Sequence, residues 1–282
     1  MTAANGLKPD DAVTSPLRRC AANVTTAFVL LVRPTRIHVR NPSPLAPRWL
    51  ATAAVLAIAV FLLVMVFADA AAINGVGHLP RWIVWCFDQI TDFGKSGWFL
   101  WPLGILFLAL AALPSLPRVQ QLVLTAMMVR VGFLFAAVGV PSLFDTIIKR
   151  MIGRARPLVG GSLDPYLFSP FKWTADFAGL PSGHATTAFA VLAAFGTLWP
   201  RARTVLWIYA LLIAVSRVMV TAHYPSDVLA GAAVGVVGAL LVRRWFALRG
   251  LGFSIAPDGT LHQKPGPSLR RIKAVARALL AQ

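Results

Sequence analysis

The feature that most restricts this chain is a series of apolar runs, each roughly 16 to 23 residues long, separated by short polar stretches. They are Leu50–Ala68, Gly97–Leu113, Leu122–Phe144, Gly183–Trp199, Val205–Val220 and Asp227–Phe246. A helix needs about 20 residues to cross a hydrocarbon core of about 30 Å. Inside lipid the backbone must satisfy its own hydrogen bonds, so such segments are helices. The 282 residues are 57% hydrophobic and only 13% charged, too little polar surface to keep a soluble chain dispersed. Trp49, Trp98, Trp101, Trp199 and Trp245 stand at span ends, where amphipathic rings favour the interface. The expected fold is all-α: a polytopic membrane protein built as a six-transmembrane-helix bundle. Residues 1–48 read as a basic N-terminal region, 49–246 as the membrane domain and 247–282 as a tail.

The formal charge of +17 raises the question of nucleic acid, but no basic stripe with interleaved aromatics is present. Membrane topology explains the charge better. With both termini cytoplasmic, eighteen of the 27 lysines and arginines fall inside, from Lys8, Arg36, Arg40 and Arg48 through Arg118, Arg201 and Arg203 to the tail. Eight fall outside and Arg130 lies within the third span. Positive residues favour the cytoplasmic side, so the termini are expected there. Four of the outer eight (Lys149, Arg150, Arg154 and Arg156) crowd together where that rule predicts few. That exception needs a cause.

Other segments are peripheral. Ala21–Val32 is apolar but too short to span, follows Arg18-Arg19, and reads as a segment on the membrane surface. Ala70–Ser96 reads as a partly helical, aromatic outer loop near the interface. Phe253–His262 holds the turn signal Pro257-Asp258-Gly259 between two extended stretches. In Ser268–Gln282, Leu269, Ile272, Val275 and Leu279 recur at helical spacing among basic residues, as in a surface helix on an anionic leaflet. Gly231 and Gly235 imply close helix packing. Arg130 should face a partner or the inner boundary. Cys20 and Cys86 fall on opposite sides, so no disulfide is expected.

The chemistry-bearing residues form three clusters, all at the outer ends of spans three to six. The first runs from Lys149 to Arg156-Pro157. The second is Pro181-Ser182-Gly183-His184, and the third comprises Ser216-Arg217, His223 and Asp227. Lys149, Arg156 and Arg217 supply three cations, and guanidinium forks suit phosphate oxygens. Ser182 and Gly183 open a helix, whose free N–H groups and dipole favour an anion. His184 and His223 can serve as nucleophile or proton donor near neutral pH. Asp227 follows His223 by four positions, a spacing that lets a carboxylate hold one ring nitrogen.

These residues carry a resemblance. KRMIGRARP, PSGH and SRVMVTAHYPSD match, position for position, the three-part signature K-x-x-x-x-x-x-R-P, P-S-G-H and S-R-x-x-x-x-x-H-x-x-x-D of the type-2 phosphatidic acid phosphatase superfamily. The resemblance spans Lys149–Asp227 by motif and extends to the six-span layout. It implies that His223 attacks phosphorus with Asp227 orienting it, and that His184 protonates the leaving oxygen and then helps activate water. Lys149, Arg156, Ser182, Gly183 and Arg217 would cradle the phosphoryl oxygens. It implies no metal and no cofactor. Ser216 either binds phosphate or caps and packs, and Pro157 completes the first motif.

Lys95, with Asp92, either faces the site or is solvated. Gly94-Lys95-Ser96 fails as a nucleotide-binding loop because Gln89 stands where its first glycine is required. Arg150 and Arg154 are not signature positions; they either attract anionic headgroups or are simply solvated. The expected activity is an integral membrane phosphatase of the bacterial inner membrane with its site at the outer face. Its substrate would be a lipid-linked phosphomonoester or pyrophosphate, and it needs no nucleic acid and no obligate protein partner. Phosphatidic acid, phosphatidylglycerol phosphate, undecaprenyl pyrophosphate and lipid A phosphate all fit. Two rivals are a vanadate-dependent haloperoxidase-like enzyme, against which the apolar spans argue, and a non-catalytic lipid-binding protein, against which the complete signature argues.

Overall fold

The computed structural model describes residues 15–35, 47–114 and 116–280. Lys8, Arg36 and Arg40 of the expected inner face lie outside the described residues. Among the described residues ten α-helices follow one another: α1 (Pro16–Val32), α2 (Pro47–Phe67), α3 (Asp69–Val76), α4 (Arg81–Thr91), α5 (Gly97–Ala112), α6 (Arg118–Ile152), α7 (Gly183–Leu198), α8 (Arg203–Met219), α9 (Pro225–Leu248) and α10 (Leu269–Leu280). Between α9 and α10 stands an antiparallel pair, β1 (Phe253–Ile255) and β2 (Leu261–Gln263), closed by the expected turn.

Five helical stretches among the described residues are long and apolar enough to cross a membrane: Arg48–Phe67, Arg81–Ala112, Arg118–Ile152, Pro200–Met219 and Pro225–Leu248. The sixth expected span, α7, has only 16 residues and reaches about 24 Å. Its position explains the tolerance. Eleven of those residues are buried, because α7 runs between α6, α8 and α9, with α9 its most extensive partner. A helix sheathed by protein need not match the thickness of the lipid. Alanine, glycine and threonine dominate its sequence, which lets its neighbours approach. Gly231 and Gly235 of α9 meet the α7 backbone at the carbonyls of Ser182 and Thr186, so tightly that a Cβ at either position would collide. The close packing expected of the glycine pair is therefore present.

Below the site, Phe133 and Leu134 of α6, Ala194 and Leu198 of α7, and Ala239, Val242 and Phe246 of α9 form a core that Phe253 of β1 plugs from the tail. Phe253 stacks edge-on against Phe133, centroid to centroid 4.8 Å. The Arg130 guanidinium donates to the carbonyls of Lys264 and Pro265, at 2.9 Å each. Its role is to strap the tail to α6. The amphipathic α10 docks Val275 against Leu116, Val123 and Leu124. The N-terminal α1 is longer than its apolar core and lies along α5, where the Asn23 amide donates to Ala111 O at 2.8 Å. Cys20 and Cys86 are free thiols.

The segment read as an outer loop is mostly helical, as α3 and α4, and both pack on α8. At the same end α6 continues about two turns past its apolar stretch, which carries Asp145 and Lys149 on the helix itself. Gly153 ends α6 in the left-handed conformation (φ 62°), with its N–H bonded to Lys149 O at 3.0 Å. Any side chain there would strike the Ser169 carbonyl.

Candidate active site

Beyond Gly153 the chain turns back on itself. Ala155 N–H donates to Leu167 O (2.9 Å), Arg156 N–H to Asp176 O (2.8 Å) and Gly179 N–H to Arg154 O (2.9 Å). The fold-back carries Gly179 to the start of α9 and leaves Arg156 beside the helix ends. Ser182 N–H then donates to Asp227 O at 3.0 Å, which ties the start of α7 to that of α9. Two positive helix ends therefore open at one place.

Gly183 is held against the first motif. A Cβ on it would stand 3.0 Å from both Lys149 Nζ and Asp145 Oδ2. Lys149 itself pairs with Asp145 at 2.5 Å, and Thr186 Oγ1 donates to the same carboxyl at 3.2 Å. The ammonium is thus pinned beside the backbone of the second motif. The His184 ring lies over Gly94, where a Cβ would come within 2.9 Å of Cδ2.

The third motif is a tight turn. Thr221 is left-handed (φ 53°), and Arg217 O accepts from both Ala222 N (3.1 Å) and His223 N (3.2 Å). Arg217 and His223 therefore move as one unit. The guanidinium of Arg217 donates to Thr91 Oγ1, at the end of α4, at 2.6 Å. His223 Nδ1 lies 2.8 Å from the Gly179 carbonyl. A carbonyl only accepts, so Nδ1 carries the proton and Nε2 keeps its lone pair. Asp227 Oδ2 is farther, 3.7 Å from Nδ1; its nearer bond accepts from Tyr224 N–H at 2.9 Å. The carboxylate acts on the ring through its field, while the hydrogen bond comes from the fold-back loop.

Charge converges on the two rings. The fields of Arg217, His223, Lys95 and Lys149 reach His184, and those of Asp227, Arg217 and Arg156 reach His223. Burial pushes His223 down to about 4, against the opposing pull of Asp227. The ring is therefore neutral at neutral pH. Burial also lowers Arg156, with Asp176 opposing it. Three buried polar atoms here have no partner among the described residues: Arg156 Nε, Arg217 Nε and Ser182 Oγ. Ser182 sits at the N-cap of α7 yet makes no capping bond. Two donors and a hydroxyl left in this state suit an anion with several acceptor oxygens.

Other expected residues fare differently. Ser216 donates back to Ile213 O at 2.7 Å, so its hydroxyl is spent within α8. Pro157 is buried. Lys95 is exposed and paired with Asp92 at 2.8 Å. Arg150 ties down the loop at Thr174 O, 2.8 Å. Arg154 overturns its expectation outright. Far from being solvated, it is 0% exposed, and its donors reach Asp227 Oδ1 (2.6 Å), Asp69 Oδ2 (2.7 Å), Ser226 Oγ (2.7 Å) and, twice, Pro165 O (3.0 and 2.8 Å). Tyr224 covers it, ring centroid 4.6 Å from the guanidinium carbon.

Five contributors escaped sequence reasoning: Asp69, Thr91, Asp145, Gly179 and Ser226. Asp69 and Asp145 did leave a signal. The chain has only ten acidic residues, and these two stand at the ends of apolar runs, where an unpaired carboxylate is costly. Gly179 acts through its carbonyl, which no side-chain pattern records.

Residues 130–251 match the family model of the PAP2 superfamily. A lipid A 1-phosphatase of Rhizobium johnstonii is 38% identical over 214 residues, covering 75% of this chain and 86% of that protein. A lipid A 1-phosphatase of Rhizobium etli is 37% identical over 214 residues, covering 75% and 91%. Among solved structures, Aquifex aeolicus LpxE aligns with a TM-score of 0.45 and 19% identity, over 62% of this chain and 93% of that one. A PAP2-type phosphatidylglycerolphosphate phosphatase from Bacillus subtilis aligns with a TM-score of 0.45 and 20% identity, over 67% and 92%.

Proposed function

This chain belongs to the PAP2 superfamily and is a membrane lipid phosphatase, and from that premise we propose that it removes the 1-phosphate of a lipid A-type glycolipid through a phosphohistidine at His223. Two considerations support the reading. The relatives sharing most of the chain's length are lipid A 1-phosphatases. The observation that carries it is the set of unpartnered donors, Arg156 Nε, Arg217 Nε and Ser182 Oγ, gathered around a neutral His223 with Nε2 free.

Lys149, Arg156, Arg217 and the N–H groups at Gly183 hold the phosphoryl oxygens and stabilise the charge that develops in the transition state. His223 Nε2 attacks phosphorus; the N–P bond forms as the P–O bond to the lipid breaks, and His184, which takes up a proton when the phosphate dianion binds beside it and offsets the surrounding cations, gives that proton to the departing oxygen. The phosphorylated ring is cationic and is steadied by Gly179 O and the field of Asp227. Neutral His184 then takes a proton from water as its oxygen attacks phosphorus. The P–N bond breaks, inorganic phosphate leaves, and both rings return to their starting states.

The positive-inside pattern supports cytoplasmic termini in a bacterial inner membrane, which places the reaction at the outer leaflet, where the lipid's acyl chains can stay in the bilayer. A reporter fused after Gln282 then reads as cytoplasmic; an external signal inverts the topology. The test of the activity is phosphate release by detergent-purified protein across lipid A 1-phosphate, phosphatidic acid, phosphatidylglycerol phosphate and undecaprenyl pyrophosphate. His223→Ala abolishes release from every substrate that the wild type cleaves. Substantial hydrolysis by that variant sinks the nucleophile assignment.

A further inference from the structure

The sequence of α4, Arg-Trp-Ile-Val-Trp-Cys-Phe-Asp-Gln-Ile-Thr, places Arg81, Trp85, Asp88 and Thr91 on one face, at steps of four, three and three residues. Its last member touches the phosphate site, since Thr91 accepts from Arg217. The other three line a cavity of about 810 Å³ together with Asn74, His78 and Thr221. Thr221 stands two residues before His223 in the turn that Arg217 O closes. The charge of Asp88 reaches the Arg217 guanidinium. The cavity therefore begins about one helical turn from Thr91 and runs along α4 for about 10 Å, the rise from Asp88 to Arg81.

Its lining mixes chemistries. Asp88 accepts, Arg81 donates, and Asn74 does both. Trp85 offers a flat apolar face and is 63% exposed. The volume falls within the range of sites for small organic ligands, about 300 to 1,000 Å³. The rest of the lining is largely apolar, Val84, Leu158 and Met219 among it; a plain acyl chain would pack there yet leave Asp88 and Arg81 unpaired, and a second phosphate drawn to Arg81 would face the charge of Asp88. A neutral sugar ring, through its hydroxyl and its acyl amide and ester groups, satisfies the donors and acceptors and packs its apolar face on the indole.

We propose that the cavity along α4 is a headgroup subsite that seats the sugar carrying the scissile phosphate, with Trp85 and Asp88 selecting glycosyl phosphates over glycerol phosphates. The proposal rests on the lipid phosphatase reading and names the substrate class of that site. Trp85 carries no charge and is not bonded to Arg217, so its loss changes selectivity rather than chemistry.

The test compares wild type, Trp85→Ala and Asp88→Asn on lipid A 1-phosphate and phosphatidic acid in mixed micelles, with melting temperature as a check on folding. Both variants should lower kcat/KM for lipid A 1-phosphate by about 10-fold or more, the usual loss when one good polar or stacking contact goes. For Trp85→Ala, kcat/KM for phosphatidic acid should stay within about 2-fold of wild type, which corresponds to less than 1 kcal/mol. Equal losses of Trp85→Ala on both lipids, or no loss on lipid A 1-phosphate from either variant, overturn the subsite. So does a wild type that cleaves phosphatidic acid but not lipid A 1-phosphate, though the lipid phosphatase reading then stands. If the wild type cleaves no lipid phosphate, that reading falls and takes the subsite with it.

Discussion

Arg154 and Arg156 leave the same loop two residues apart, and their guanidiniums are treated in opposite ways. All five N–H donors of Arg154 have a protein acceptor: two carboxylates, one hydroxyl and one carbonyl that accepts twice. Arg156 keeps a buried Nε with no partner among the described residues. Arg154, saturated by its own protein, holds the fold, whereas Arg156, kept partly unpaired beside His223 and Arg217, is left for an anion from outside. The saturated one binds Asp227 and Asp69, and these carboxylates in turn accept the N–H groups of Tyr224 and Ser226 at the start of α9. It therefore sets the position of the turn that presents His223. Only the unpaired arginine belongs to the signature.

The largest effect that sharpens this contrast is expected from Arg154→Ala. It strands two buried carboxylates without a counter-charge, a loss of about 3–5 kcal/mol. Thermal unfolding in detergent should drop steeply or the protein should fail to accumulate; an unchanged melting curve breaks the comparison. Arg156→Ala should do the reverse, cutting kcat by about 10²–10³-fold, as the loss of one transition-state donor does, with melting temperature little changed. Destabilisation to the same degree as Arg154→Ala would show that both arginines are structural.

Gly183→Ala ranks next. The added methyl would stand 3.0 Å from both Lys149 Nζ and Asp145 Oδ2; shifting that ion pair should cost little stability, since the lysine stem is long, while phosphate-release kcat/KM falls by about 10-fold, or roughly 1.4 kcal/mol. Wild-type turnover in this variant would remove Lys149 from the phosphate cradle.

The last effect is nil at neutral pH and emerges only on acidification. Burial holds His223 at about 4, below its ordinary 6.5. Between those values the unfolded chain binds the extra proton and the folded chain does not. This group therefore leaves stability untouched above pH 6.5 and lowers it progressively as pH falls toward 4. The acid limb that His223 contributes to kcat/KM should correspondingly lie nearer 4 than 6.5. Mapping the limb on the free enzyme decides the matter, and a midpoint at 6.5 contradicts a desolvated ring.

The spans, the positive cluster at one end and the signature residues were all readable along the chain, because each is a local pattern of residue type and spacing. Position in three dimensions was not. Arg150 and Arg154 look equally solvated in sequence, yet one bonds a loop carbonyl from a half-buried position and the other is wholly enclosed. Asp227 stands at the right spacing to hold His223, but the Gly179 carbonyl, 44 residues away, makes the shorter contact. Six spans were expected, and α7 proved shorter than a lipid-facing helix needs to be.

Composition and periodicity settle which stretches of this chain leave water, since that transfer depends chiefly on the side chains of the stretch itself. The order of its three motifs also settles which residue types are on hand for phosphate chemistry. Whether a given guanidinium is spent on the fold or left for a substrate depends on which carboxylates and carbonyls lie within about 3 Å of it. Those partners come from Asp69, Pro165 and Asp227, on three separate elements, and only the packing of the bundle brings them together.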